Sequence, residues 1–316
     1  MNKMTFPIKR LLAVALTSAL LGGCAPSSYQ VKTPAPSNAG YAKTTTNEFS
    51  PLQLVDMRSD KKTFSYGILP AELKLNKAPL APVAFLQEHT DKELAARGIN
   101  PSAVAAPLKV DVLKLAMRNH RTNAYTPFIT FTMLSADVHT PEGIKRVGVF
   151  VKRGKVPVWS FDEIIEPTLN EPLSLLVKEF AAKVNALVYQ QQISDDDVNA
   201  LIAKTKQSDD YLDVYQLGFG NNKTAVPFLK ELLKSDEEYV RLAAISSLGI
   251  LDAEEELETL KGVFATADNW SDKAMAVKAI ADLNLEEGNR FIRDVQSSFK
   301  DSKEKDWGNM LIGLYL

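Results

Sequence analysis

From residue 194 onward the chain repeats itself at the length of one helical hairpin, and no other feature limits its fold so tightly. Leu217-Gly218, Leu248-Gly249 and Leu283-Asn284 each close an apolar helical stretch, Leu314 stands at a fourth equivalent position, and the separations are 31, 35 and 31 residues. A period of this size marks supersecondary units that cannot bury their apolar faces alone and must stack. In the clearest unit Ala225 to Leu233 forms a first helix, Ser235-Asp-Glu-Glu238 caps the next, and Tyr239 to Gly249 is the second. Gly218-Phe-Gly220-Asn-Asn-Lys223 is Gly-rich, but it follows a helix rather than a strand and reads as a loop joining repeats.

The pattern Val240-Arg241-x-Ala243-Ala244-x-x-x-Leu248-Gly249 resembles a HEAT repeat, and Lys273-Ala-Met-Ala276 to Leu283 echoes it. Tetratricopeptide repeats have a similar period, but their Trp, Gly, Tyr and Pro landmarks are missing. The resemblance implies a curved all-α surface on which other macromolecules lie. Tyr239, Arg241, Trp270, Lys273 and Trp307 are the candidate partner-binding residues there, being of types used as interface anchors, with packing inside the array as the competing role.

Before residue 194 the pattern differs. Lys and Arg outnumber Asp and Glu 18 to 14 over residues 49–192, whereas over 193–316 they are outnumbered 14 to 24, so the net charge swings from +4 to −10. A domain boundary is expected at that swing. Pro51 to Asp56 and Thr63 to Leu69 read as short strands, and a helix is expected from the Thr90-Asp-Lys-Glu93 capping box or one turn earlier, stopping at Gly98. Alternation then predicts strands from Leu108, over Phe128 to Val138, and over Lys145 to Lys152, with Thr140-Pro-Glu-Gly143 as the hairpin turn. Asn170 is expected to cap a last helix carrying Leu173, Leu176, Val177, Phe180, Val184 and Leu187. This order of elements makes an α+β domain, a mixed sheet with helices packed on it.

Asp56-Met-Arg58-Ser-Asp60, Phe85-Leu86, Leu94-Ala-Ala-Arg97-Gly98 and the elements after them resemble the YajG type of small enterobacterial lipoprotein over about residues 50–190. The resemblance implies an envelope protein. Asp56, Arg58 and Asp60 alternate along an extended backbone, so they form a possible strand-end polar site, with a solvated ion-pair ladder as the alternative.

At the N-terminus Lys3, Lys9 and Arg10 precede an apolar run from Leu11 to Leu21, which ends in Leu21-Gly22-Gly23-Cys24. The run is too short for a lasting transmembrane helix, which needs about 20 residues, and it reads as a signal peptide over 1–23. Small residues before a cysteine resemble the lipobox of bacterial lipoproteins, which implies lipidation at Cys24, the only cysteine in the chain. Ala25 in place of Asp implies outer-membrane sorting. Residues 24–48 are rich in Pro, Ser, Thr, Ala and Gly, and their composition predicts a flexible tether.

Nucleotide-binding, zincin and hydrolase motifs are missing, and His89, His120 and His139 lack partners at ligand spacing. The acidic triplets Asp195–Asp197 and Glu254–Glu256 each begin a predicted helix, where the macrodipole stabilises negative charge. Expected, therefore, is a lipid-anchored adaptor or scaffold on the periplasmic side of the outer membrane, gripping an envelope protein through its HEAT-like surface. No enzymatic role, cofactor, metal or nucleic acid is expected. The alternative is a carrier or sensor that holds a small amphiphile between sheet and helices of the α+β domain.

Overall fold

The computed structural model describes residues 27–42, 49–69, 71–102, 104–123, 125–208, 210–299 and 305–316. Cys24, the apolar run before it and residues 43–48 of the expected tether lie outside them. Strands β1 (Ser27–Val31), β2 (Leu52–Asp56), β3 (Ser65–Gly67), β4 (Ala71–Leu75) and β5 (Ala78–Pro79) precede helix α1 (Pro82–Ala96). Three long strands follow, β6 (Leu108–His120), β7 (Phe128–Thr140) and β8 (Gly143–Lys155), and then the short helix α2 (Asp162–Ile165) and α3 (Glu171–Val184). The rest is helical: α4 (Asp195–Ser208), α5 (Tyr211–Phe219), α6 (Val226–Leu232), α7 (Glu238–Ile250), α8 (Leu257–Thr266), α9 (Trp270–Asp282), α10 (Glu286–Ser298) and α11 (Lys305–Ile312). The chain is thus an α+β region followed by an all-α repeat region.

The main sheet runs β2-β6-β7-β8, with β2 and β3 both parallel to β6 and the β6-β7-β8 meander antiparallel. Its tight turn closes where expected, Thr140 opposite Gly143, whose φ of 121° suits glycine. Along β7 the even-numbered Thr130, Thr132 and Leu134 face α2 and α3, while Phe131, Met133 and Ser135 face the helical array. The sheet is therefore a middle layer with helices on both sides. Apolar residues from both regions join in one continuous core.

Three local expectations need correction. Helix α1 begins at Pro82, eight residues before Thr90, because a proline at the first position loses no hydrogen bond. Asn170 caps nothing; a π-helical turn over Glu166–Asn170 carries α2 straight into α3. Pro172 cannot donate to the Thr168 carbonyl four residues back, and the Thr130 hydroxyl of β7 donates to that carbonyl instead, at 2.7 Å. Residues 27–42 are not a free tether, since β1 pairs with β4 and the strap after it lies against α1 and α5. The buried Glu93–Arg97 pair of α1 holds that strap, Glu93 accepting the Ser37 N–H at 2.8 Å and Arg97 donating to the Ser37 hydroxyl at 3.0 Å.

The repeated Leu-Gly has a packing cause. A Cβ on Gly218 would come within 2.5 Å of the Ser247 hydroxyl, and one on Gly249 within 2.7 Å of the Ala279 backbone, so each glycine lets successive inner helices α5, α7 and α9 touch. Replacing Gly249 by Val is expected to lower stability by about 1–3 kcal/mol through overpacking. Gly262→Ala, at an exposed helical position with open space around it, is expected to raise stability by about 0.5–1 kcal/mol. Urea unfolding of the two variants checks both signs.

Candidate functional site

Strand β8 is the sheet edge beside the array, and an edge strand leaves backbone groups unpaired. Here side chains complete it at two stations. Near its end, the Tyr239 hydroxyl of α7 accepts the Gly154 N–H at 2.9 Å and reaches the Gly154 carbonyl at 3.1 Å. Arg153 lies between the rings of Tyr211 and Tyr239, its guanidinium carbon 4.2 and 3.9 Å from their centroids, and donates to Glu171 of α3 at 2.8 Å. Tyr211 donates to that same carboxylate.

At the second station the Gly148 carbonyl accepts from the Lys183 ammonium of α3 at 2.6 Å and from the Tyr315 hydroxyl at 3.3 Å. Gly148 leaves room for the Tyr315 ring, which a Cβ there would meet at 2.4 Å. Around this point a buried charge cluster closes. Lys183 lies 2.7 Å from Glu179 and 2.6 Å from Asp282; Lys278 lies 2.7 Å from Glu179 and 2.9 Å from Asp282. Lys278 is fully buried and also donates to the Ser246 hydroxyl at 2.9 Å, while Tyr315 donates to Asp282 at 2.7 Å. Two ammoniums and two carboxylates balance, drawn from α3 and α9.

The pKa directions follow this enclosure. Burial opposes charge on Lys278, but Asp282 and Glu179 outweigh it and raise its pKa. For Lys183 burial dominates and lowers the pKa; for Asp282 the two lysines overcome burial and lower it. Burial pushes the phenols of Tyr41 and Tyr215 up to about 12 and also raises Tyr189, Tyr211 and Tyr315. A cleft of about 280 Å³ opens above the cluster, lined by Lys145, Arg146, Asp252, Glu254, Asp282 and Tyr315 among others. With each ammonium between two carboxylates, the arrangement fastens the helical array to the sheet.

The residues singled out from the sequence fall mostly inside the molecule. Tyr239 is used at the first station. Trp270 packs edge-on to Phe131 of β7 and against Trp307, and Lys152 of β8 sits above it at 5.4 Å. Trp307 is buried against Phe299. Arg241 ties α7 to α9 through Asp272 at 2.6 Å, and Lys273 is half-buried in the first turn of α9. Of the strand-end trio, Arg58 is buried and pairs with Asp56 at 2.9 Å, whereas Asp60 lies beyond the strand and accepts the N–H groups of Lys62 and Thr63. Among the described residues no group of His, Cys, Asp and Glu could hold a metal ion, and no helix is long and apolar enough to cross a membrane. Between the sheet and α1 and α3 the space is filled by Leu86, Val110, Met117, Leu134, Leu176 and Phe180, each at most 1% exposed.

Glu179, Lys183, Lys278, Asp282 and Tyr315 were missed. One signal existed: Lys278 interrupts the run Ala274-Met-Ala-Val-Lys-Ala-Ile-Ala281, where a cation needs a buried partner.

Residues 195–281 match the family of HEAT repeats. The match begins at α4 and ends within α9, so the cluster's Lys278 belongs to the matched stretch. No curated protein matches the chain.

Lys278→Met should cost about 3–5 kcal/mol by leaving two buried carboxylates short of a cation, and Glu179→Met on top of it should restore a good part of that. Urea unfolding of single and double variants decides; a loss below about 1 kcal/mol for the single variant would mean the cluster fastens nothing. The phenols set an alkaline limit. Unfolded tyrosines release protons near pH 10 while the buried ones hold theirs up to about 12, so the unfolded chain binds fewer protons in that window. Stability is therefore expected to be unaffected by these groups below about pH 9 and to fall above about pH 10, less steeply in Tyr215→Phe. Denaturation series across that range check it.

Proposed function

We propose that this protein is a lipid-anchored envelope scaffold whose outer helices, not its inner ones, receive a protein partner. One observation carries the reading: the inner helices α5, α7, α9 and α11 already hold the chain's own sheet and α3. What HEAT repeats commonly offer to a ligand is thus occupied from within.

The outer side is acidic. Asp195, Asp196 and Asp197 begin α4, Glu254 and Glu255 lead into α8, Glu286 and Glu287 begin α10, and all are exposed. These helix starts are neighbours along one rim: Asp195 accepts from Asn222 and Thr224, Lys223 donates to the Asp252 carbonyl, and Lys261 of α8 pairs with Glu287. A rim in which carboxylates outnumber ammoniums favours a basic partner surface and a fast, salt-sensitive encounter.

Lipid at Cys24, outer-membrane sorting and a periplasmic location are supported by the Leu21-Gly22-Gly23-Cys24 sequence and the likeness to YajG-type lipoproteins. Mass spectrometry of the processed N-terminus tests the anchor, and an unmodified thiol there removes it.

For the partner, envelope extract passed over immobilised protein is expected to yield a saturable binder that elutes as salt rises. Reversing Glu254, Glu255, Glu286 and Glu287 to Lys is expected to weaken retention about tenfold or more. Retention unchanged by reversal would move the partner surface elsewhere, and no saturable binder at all would remove the scaffold reading.

A further inference from the structure

Five of the exposed large apolar side chains gather at one end of the main sheet. Tyr125 sits on the β6-β7 turn and is 91% exposed, Trp159 follows β8 and is 92% exposed, and Val156 and Val158 stand beside it. Ile68 joins them because Gly67 pairs with Asn119 at the end of β6, and the Leu69 N–H is held by the Asn119 side chain. The strand register fixes this neighbourhood, with Phe128 opposite Lys155 and His120 opposite Ile129.

Both protruding loops are built rather than loose. The Glu163 carboxylate accepts the N–H groups of Val158, Trp159 and Ser160 at 2.8–3.0 Å, which turns the two apolar side chains outward. In the other loop the Thr126 hydroxyl accepts from Thr122 and Asn123, and Asn123 accepts the Tyr125 N–H. Backbone groups satisfied from within lose little when water is removed, as entry into an interfacial layer demands. A Trp and a Tyr with aliphatic neighbours, and Lys155 and Arg121 at the flanking strand ends, is the composition that settles at headgroup level.

The path of the N-terminal strand selects the occupant. Lys32 is held by Glu166 and Asn170, and Tyr29 packs against Phe161 with ring centroids 5.0 Å apart, so the chain traced back to Ser27 runs along α2 toward Trp159. Ser27 pairs with Ala71, three positions after Ile68, and only two residues separate it from Cys24, a reach of at most about 10 Å.

We infer that this end of the sheet, with Trp159 and Tyr125 at its tip, is a membrane-contacting surface that inserts into the headgroup layer of a phospholipid bilayer. The inference deepens the lipid-anchor reading and rests on it for the bilayer being close at hand. The aromatic tip and the acyl chains would act on the same patch of membrane, one setting orientation and the other retention.

The test uses the processed chain from residue 24, carrying Cys24→Ser so that no acyl chain contributes, and keeping every described element. Cosedimentation with phosphatidylcholine vesicles holding phosphatidylglycerol is expected to show binding, with a blue shift in tryptophan emission from Trp159. Trp159→Ala should reduce partitioning about fivefold or more, and adding Tyr125→Ala should remove it, whereas Ile144→Ala at the opposite end of the sheet should change nothing. Both tip side chains are over nine-tenths exposed, so unchanged near-ultraviolet circular dichroism will confirm folding. No vesicle binding, binding indifferent to the double substitution, or a lipid-free dimer that the double substitution dissolves would each overturn the inference. The mass of the natural N-terminus is read separately, so loss of the anchor reading and loss of this one cannot be confused.

Discussion

Two ammoniums and two carboxylates, closed around the edge of one strand, lock the helical array beyond residue 193 to α3 and the sheet. An edge strand would otherwise invite a second chain to pair with it. Here Lys183, Tyr239 and Tyr315 bond its outward backbone groups at Gly148 and Gly154, and Lys183 brings with it the Glu179, Lys278 and Asp282 charges that bind α3 to α9. Removing charges from water is expensive, and this network offsets the cost by giving each ammonium two carboxylates. Apolar residues alone could slide along the sheet; a cluster with defined distances cannot.

That arrangement changes what a repeat array does. In an open superhelix the inner helices are the ones a ligand meets. In this chain they meet β8, Phe131 and α3, so aromatic residues that look like interface anchors are internal joints. The inner helices are covered from within, and the α+β region shares one continuous core with the array.

Much of this was legible. The Leu-Gly repeats could be read because their cause is local: helices touching where Gly218 and Gly249 lack a Cβ. The hairpin at Thr140 to Gly143 and the long alternating strands were equally open to inspection. Glu179 and Lys183 were not, because i and i+4 charges on a helix ordinarily face water, and Asp282 lies 99 residues from Lys183. Composition misled over residues 27–42, where a few residues do the holding: Val31 and Tyr41 enter the core and the Ser37 amide reaches the Glu93 carboxylate. Proline rules misled at Asn170, because the Thr130 hydroxyl from another element repairs the bond that Pro172 cannot make. Trp159 could not be told from Trp270 or Trp307, since exposure is a tertiary property.

Stacked helical hairpins with free inner surfaces are elastic: small rotations between neighbours add up, and the superhelix stretches like a spring. Arg153 wedged between Tyr211 and Tyr239 and Lys278 locked below Ser246 join successive turns of this one to the same stiff sheet. Rotation of one hairpin against the next is therefore opposed by the strand to which both are tied. The array is thus braced along its inner side, where an open superhelix of the same repeats is free to flex.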